Sequence, residues 1–177
     1  YVLEHSRFGI PMLMSSECPH GHQALDGYLL PVNLGMGAAW NPKLVEEGFK
    51  VVGEQQKEMG VDFALVSMLD ILRDPRWGRG QETYSEDPYL TARLGVAYIK
   101  GLQGDGKYLK VAACAKHYAV HSGPEAIRHE FDAEVSRKDL WETYLPAFEA
   151  AVKEGEVEAV MGAYNRTLGE PCCGSDL

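Results

Sequence analysis

The segment VAACAKHY, residues 111–118, decides the fold. It opens with successive apolar or small residues that do not alternate with polar ones, and it runs into Lys116 and His117. Such a run is typical of a strand buried on both faces, as in a parallel sheet covered by helices. Two basic side chains at the end of a buried strand cost free energy unless they are paired or used. The segment therefore predicts a parallel sheet with functional side chains at its carboxyl edge.

Other apolar segments have the same character, and we predict that they are buried strands of the same sheet. They are GIPMLMSS (9–16), VDFALVS (61–67) and VEAVMGAY (157–164). Glu17 follows the first, an arginine-rich loop follows the second, and the last ends in Tyr164 and Asn165. Large polar groups thus collect at the carboxyl ends of the predicted strands.

The segments between these strands have helical spacing and recognisable start signals. Asn41 and Asp87 each precede a proline, which is favoured in the first turn of a helix, and Ser136 is followed three residues later by Asp139. We predict helices over 41–60, 87–104 and 136–155, the last kinked at a proline. The predicted buried stripes are Val45, Phe49, Val52, Gln56 and Met59; Leu90, Leu94, Ala97 and Gly101; and Leu140, Tyr144, Ala147 and Ala151, with the kink at Pro146.

Strands and helices alternate along the chain, which indicates βα units and an α/β fold. A doubly wound sheet would also place ligands at the carboxyl edge, but its glycine-rich fingerprint is only partly matched by LGMGAA (34–39). No clear strand precedes that segment. We therefore expect a partial TIM-like (β/α)8 barrel, roughly its first half, with its site at the carboxyl edge.

Composition excludes several classes of function. The chain has 177 residues, 17 of them basic and 26 acidic, for a net charge of −9. That charge offers no basic footprint for nucleic acid, and no apolar run approaches the ~20 residues of a membrane span. The four cysteines have no CxxC spacing, so we expect free or buried thiols.

Metal binding is disfavoured. His117 and His121 have H-x3-H spacing and His20 and His22 flank a glycine, but HExxH is absent and Lys116 adjoins a would-be ligand. We expect neither a metal nor another cofactor.

The loop DPRWGRGQETYSEDPYL (74–90) mixes arginines, acids and a tryptophan. Most of its charged residues are expected to pair locally, and Asp87 is best explained as a helix cap. Arg79 differs because it lies between Gly78 and Gly80, so its backbone can approach a ligand closely. Its planar guanidinium suits hydroxyls and carboxylates.

A set of charged donors and acceptors with an aromatic surface is suited to a polyol such as a sugar. The set predicted to converge on one rim is Glu17, Arg79, Lys116, His117 and Tyr164.

Four ordered segments resemble the signature blocks of glycoside hydrolase family 3. They are FGIPMLMSSECPHG (8–21), the 74–90 loop, KHYAVHSGPEAIRHEFDAEVS (116–136) and MGAYNRTLGEPCCGS (161–175). The resemblance implies that residues 1–177 are part of the N-terminal TIM-like catalytic domain, truncated at both ends, which binds the non-reducing sugar of a small glycoside or oligosaccharide in the −1 subsite.

The resemblance also implies individual roles. Glu17 stands where the family has an Asp or Glu gripping hydroxyls on the far side of the sugar. Arg79, Lys116 and His117 match sugar binders, and Tyr164 matches the tyrosine beside the nucleophile. The arginine of AIRHEF matches a less uniform binding arginine; it is Arg128.

Family members are retaining enzymes, which need two carboxyls about 5–5.5 Å apart. The family nucleophile is an Asp after a further strand, and the acid/base usually comes from a second domain. Asp176 follows the tyrosine block too closely and is not assigned, so we expect the nucleophile after Leu177. The parent protein is then an active β-glycosidase completed by the rest of its barrel and further domains, and residues 1–177 alone are inactive.

The sugar and the compartment are less constrained. Glu17 reaches one methylene farther than Asp and would fill the space of a hexose hydroxymethyl, which favours a β-xylosidase; a β-glucosidase remains open. A non-catalytic sugar-binding or scaffold relative and a metal-dependent barrel hydrolase are the alternatives from other classes. A periplasmic or extracellular location is favoured, although no segment specifies it.

Overall fold

A computed structural model describes residues 1–176 of the chain. The helices are α1 (Val2–His5), α2 (Asn33–Ala38), α3 (Pro42–Glu58), α4 (Pro88–Gln103), α5 (Arg137–Asp139) and α6 (Pro146–Lys153). The strands are β1 (Ser15–Ser16), β2 (Phe63–Ala64), β3 (Ala112–Tyr118), β4 (Asp132–Ala133), β5 (Ala159–Gly162), β6 (Arg166–Thr167) and β7 (Glu170–Pro171).

The main sheet contains β1, β2, β3 and β5 in that spatial order, and every neighbouring pair is parallel. Each new strand is therefore added beside the preceding one, with helices on the connections between them. A doubly wound sheet reverses its strand order at a switch point, whereas a barrel adds strands in one direction. The expected α/β fold with a partial TIM-like barrel is confirmed.

The predicted caps start the long helices. The Asn41 side chain accepts a hydrogen bond from the Leu44 amide, and the Asp87 side chain accepts one from the Leu90 amide. Each bond satisfies an N–H group that has no partner inside its helix. The predicted stripes are buried apart from Met59, which lies exposed just beyond α3.

The third predicted helix is interrupted near Pro146, as the sequence predicts. Ser136 caps α5 by accepting from the Asp139 amide, a wide π-type turn spans Leu140–Tyr144, and α6 begins at Pro146. Proline has no N–H and its ring clashes with the preceding turn, so the regular hydrogen-bond ladder cannot continue through it.

The prediction that the strands are buried on both faces is confirmed for the two inner strands and is wrong for the outer two. Residues of β2 and β3 lie in the core, but the segment 9–16 is largely exposed, with Leu13 at 70 %. Val160 in β5 is also exposed. The reason is position in the sheet: β1 and β5 are its edges, and within residues 1–176 neither has a second neighbouring strand.

A second, smaller sheet was not predicted. Strand β4 pairs in parallel with β6, and β6 pairs antiparallel with β7 through a two-residue turn at Leu168 and Gly169. Both turn residues have positive φ, 54° and 87°, as a type I′ hairpin turn requires. These strands belong to the segments that follow β3 and β5, so they lie on the connections leaving the carboxyl edge.

The partial glycine fingerprint has a packing explanation. Gly37 lies in α2, and a Cβ atom at this position would come within 1.8 Å of the Tyr84 carbonyl oxygen. The glycine therefore lets α2 approach the 74–90 loop.

The cysteines are free thiols, as predicted: Cys18 and Cys114 are buried, Cys172 is half-buried and Cys173 is exposed. In the part of the chain that the structure describes, no helix is both long and apolar enough to cross a bilayer. Over the same residues, no group of three or more His, Cys, Asp or Glu side chains is placed to hold a metal ion.

Candidate active site

The carboxyl edge of the main sheet gathers the predicted residues from successive βα units. Glu17 follows β1, Arg79 lies on the loop after β2, Lys116 and His117 end β3, and Tyr164 follows β5. Because parallel strands end at the same edge, side chains from distant parts of the chain meet there.

Lys116 and Glu17 form an ion pair at this edge. The Lys116 Nζ atom donates to both carboxylate oxygens of Glu17, at 3.0 Å and 3.1 Å. The lysine side chain is only 5 % exposed, whereas the Glu17 carboxylate is half-exposed. A buried ammonium needs such a partner, and the exposed side of the carboxylate keeps acceptor capacity for a ligand.

Arg79 is braced by Glu82 from its own loop. Its Nε and Nη2 atoms donate to the two Glu82 oxygens at 2.8 Å and 2.7 Å. This hydrogen bond raises the pKa of Arg79. Burial, the largest single influence, acts to raise the pKa of Glu82, but the hydrogen bond and charge of Arg79, together with the charges of Lys116 and His117, bring the pKa below its ordinary value. The expected local pairing of charged residues in this loop is thus confirmed for Glu82 and Arg79.

His117 is held by an aspartate that the sequence analysis did not select. The Asp70 Oδ2 atom accepts from the His117 backbone N–H at 3.1 Å and lies 2.9 Å from the His117 Nδ1 atom. Both side chains are buried, 1 % and 4 % exposed respectively. The pairing of β3 with β5 shifts register at His117, a bulge that turns a side chain away from the regular alternation.

Arg79 and His117 contact each other directly, since the Arg79 Nη1 atom lies 3.2 Å from the His117 Nε2 atom. Glu17, Lys116, His117 and Arg79 thus form one cluster, joined by the backbone between Lys116 and His117.

Tyr164 joins this cluster through His121. The His121 ring lies 4.5 Å from the His117 ring and 6.2 Å from the exposed Tyr164 ring, centroid to centroid. His121 is fully buried, which lowers its pKa. Its Nδ1 atom lies 3.0 Å from the Asn165 Oδ1 atom. A neutral histidine at this position supplies a flat wall between the charged cluster and the tyrosine.

Arg128 lies one step farther out. It donates to Glu125 at 3.1 Å and contacts its neighbour His129 at 3.3 Å, and the His129 ring meets the Tyr164 ring at 4.9 Å. The structure does not bring Arg128 into contact with the charged cluster, so a role in binding stays a prediction for it.

Two further arginines, Arg76 within the loop and Arg73 just before it, have structural partners. Arg76 pairs with Asp74 two residues earlier, as expected for local pairing. Arg73 pairs instead with Asp139 on α5, at 3.3 Å, so this arginine ties the loop to the third βα unit.

Sequence reasoning missed Asp70 and undervalued His121. Asp70 directly follows the apolar residues Met68 and Leu69, so the same rule that selected Glu17 and Lys116 would have found it. His121 was weighed only as a metal ligand, and its burial beside His117 has no sequence signal of its own.

Fold and site together define a class. A parallel sheet that adds its strands in order, with buried, paired charges gathered at the carboxyl edge, is the arrangement of an α/β-barrel enzyme domain.

The comparisons place the chain within one family. Residues 1–177 match the model of the glycosyl hydrolase family 3 N-terminal domain, and the chain belongs to this family. A xylan 1,4-β-xylosidase from Xylanibacter ruminicola is 46% identical over 90% of the chain and 21% of its own length.

Similarity to solved structures supports the same assignment. A mutant β-glucosidase from Listeria innocua in complex with laminaribiose superposes with a TM-score of 0.86 at 33% identity, covering 96% of this chain and 24% of the other. The exo-β-xylosidase XlnD, in complex with a xylobiose aziridine probe, gives a TM-score of 0.87 at 31% identity, covering 95% and 24%. The chain thus spans about a fifth to a quarter of the relatives that it matches.

Proposed function

We propose that the parent protein hydrolyses terminal, non-reducing β-linked sugar residues by a retaining two-carboxylate mechanism. In this proposal residues 1–177 are part of the N-terminal catalytic domain and supply the −1 sugar-binding groups. The remainder of the barrel and further domains supply the nucleophile and the acid/base. Family membership supports the hydrolase class, and the relatives include both a β-xylosidase and a β-glucosidase.

One observation carries the proposal: the cluster keeps unused hydrogen-bonding groups at the carboxyl edge of the sheet. Three of the N–H groups of Arg79 bond to Glu82 and His117, and a guanidinium has five. Within residues 1–176 no partner is seen for the others. Together with the half-exposed Glu17 carboxylate they offer donors and acceptors to vicinal hydroxyls, and the exposed Tyr164 ring offers a face to the sugar.

The carboxylates within the cluster and in direct contact with it are poor candidates for the nucleophile. Glu17 is bound by Lys116, Glu82 by Arg79, and Asp70 by His117. Each is therefore committed to a cation or an imidazole. Asp176 lies beside the small sheet, where its backbone N–H donates to Glu170, and it does not follow a further strand of the main sheet. We accordingly place the nucleophile after Leu177.

The proposal is tested on the full-length parent protein with aryl β-xyloside and aryl β-glucoside. Proton NMR of the first-formed sugar should show the β anomer, because two displacements restore the starting configuration. Appearance of the α anomer would rule out the retaining mechanism. Sugar binding without turnover would favour the non-catalytic relative, and residues 1–177 alone should give no turnover.

The preference between pentose and hexose is proposed to depend on Glu17. Shortening it to Asp withdraws the carboxylate by one methylene and opens the space beside C5. The ratio of kcat/KM for xyloside over glucoside should then fall by about 10-fold or more, the scale of one methylene in a pocket. A ratio that does not move on Glu17→Asp would remove this residue as the selector.

A further inference from the structure

We propose that Asp70 is a positioning residue of the sugar site. It fixes the tautomer of His117, and through that ring it fixes the orientation of the Arg79 guanidinium. The inference rests on the proposed function and goes beyond it, because Asp70 itself contacts no sugar.

The first step follows from what arginine can do. A guanidinium donates hydrogen bonds and accepts none. The Arg79 Nη1 atom lies 3.2 Å from the His117 Nε2 atom, so Nε2 must be the acceptor and carries no proton. His117 is consequently the tautomer with its proton on Nδ1.

The second step concerns the group that selects this tautomer. The Nδ1–H group faces the Asp70 Oδ2 atom at 2.9 Å, and the same oxygen accepts from the His117 backbone N–H at 3.1 Å. The aspartate is 1 % exposed, so water does not compete for this oxygen. A buried carboxylate that holds both the ring and its backbone leaves one tautomer and one ring orientation.

The third step connects the ring to the ligand-binding group. Glu82 holds Arg79 along the edge formed by Nε and Nη2, and His117 holds it at Nη1. The planar group is held at both ends, so the orientation of its remaining N–H groups is fixed before a ligand arrives. Pre-orientation of this kind saves the free energy of ordering the side chain on binding.

The opposite tautomer of His117 would turn the hydrogen bond from Arg79 into a repulsive contact. With a proton on Nε2, an N–H group would face the N–H groups of Arg79, and the guanidinium would leave its position. Charged groups nearby do not replace Asp70 in this role: Lys116 is engaged by Glu17, and Glu82 already binds the far edge of Arg79.

Two substitutions separate positioning from simple stability. Asp70→Ala removes the acceptor, whereas Asp70→Asn keeps a carbonyl oxygen that can accept from both His117 groups. In the full-length parent protein, calorimetric Kd values for D-xylose and D-glucose should rise about 10- to 100-fold for Asp70→Ala, the scale of one lost charge-assisted hydrogen bond. Asp70→Asn should restore most of the affinity, staying within about 5-fold of the unsubstituted protein.

A double-mutant cycle tests whether the effect passes through the arginine. In an Arg79→Ala background, the change in Kd on Asp70→Ala should be much smaller than in the unsubstituted protein, since the guanidinium is gone and only a direct contact of His117 with the sugar can still be lost. An undiminished loss in that background would overturn the inference, because a merely structural residue acts whether or not Arg79 is present.

The unsubstituted protein provides a direct measurement that needs no variant to fold. With nitrogen-15-labelled histidine, the His117 resonances should show a protonated Nδ1 and an unprotonated Nε2. A protonated Nε2 in the neutral ring would refute the inference. This spectrum reports the tautomer even if no sugar binds or turns over, an outcome that would count against the proposed function alone.

Discussion

The ion pair between Arg79 and Glu82 gives a prediction whose size and pH dependence follow from its geometry. Glu82→Gln replaces a carboxylate that accepts two bonds, at 2.8 Å and 2.7 Å, by an amide that can accept only at its oxygen. The two side chains are 17 % and 29 % exposed, so solvent screens the pair only in part. A hydrogen bond to a charged group contributes about 1.5–3 kcal/mol, and we expect the loop to lose about 2 kcal/mol of local stability, or about 30-fold in its opening equilibrium.

The sign of the pH dependence comes from the lowered pKa of Glu82. The carboxyl titrates below its ordinary value, 4.5, when the loop is closed, and at that ordinary value when the loop is open. The stability that the ionised Glu82 carboxylate gives to the closed loop is therefore fully present above pH 4.5. It is lost as the pH falls through the lower pKa of the closed state. The difference in loop opening between Glu82→Gln and the unsubstituted protein should be largest at about pH 7 and should shrink in more acidic solution.

Hydrogen–deuterium exchange of the 74–90 loop in the parent protein, corrected for intrinsic rates, measures this opening. Glu86→Gln is the matched control, because it makes the same change on an exposed residue of the same loop. Equal exchange in both variants, or a difference that persists unchanged below pH 4, would refute the reasoning.

Three further predictions concern stability and assembly. Gly37→Ala should cost about 3 kcal/mol in the free energy of unfolding, because its Cβ would meet the Tyr84 backbone oxygen at 1.8 Å; Gly106→Ala, whose Cβ meets its nearest contact at 3.4 Å, should cost far less in the same denaturant titration. Asp87→Ala should cost about 1 kcal/mol by removing the cap of α4, and Asp87→Ser should recover most of it; equal losses for the two would contradict a capping role. Residues 1–177 produced alone should self-associate in sedimentation experiments, because both edges of the main sheet expose apolar side chains, and a stable monomer at high concentration would disprove this.

Elements with strong local signals were predictable from the sequence. The long helices begin at Asn41 and Asp87, where a cap side chain and a following proline act within a few residues of each other. The inner strand β3 was equally clear, since its apolar run and its basic end both lie within one segment. The order of the strands followed from the alternation of these elements.

What escaped prediction depends on contacts between distant segments. The burial of an apolar run is set by what lies beside it, so the exposure of segment 9–16 could not be derived from its own residues. The β6–β7 turn uses Leu168 with positive φ, an unusual residue for that conformation. Asp70 can contact His117, 47 residues later in the chain, only because β2 pairs with β3.

The contact between Glu17 and Lys116 joins residues 99 positions apart, and three of the four main strands must be in register before it can form. During synthesis the glutamate emerges from the ribosome long before its lysine, and in that interval its carboxylate is simply hydrated. The ion pair is thus a late event in maturation. Chains halted between the second and third strands carry the glutamate but lack the lysine, so the pair is absent from every nascent chain that has not completed the third strand.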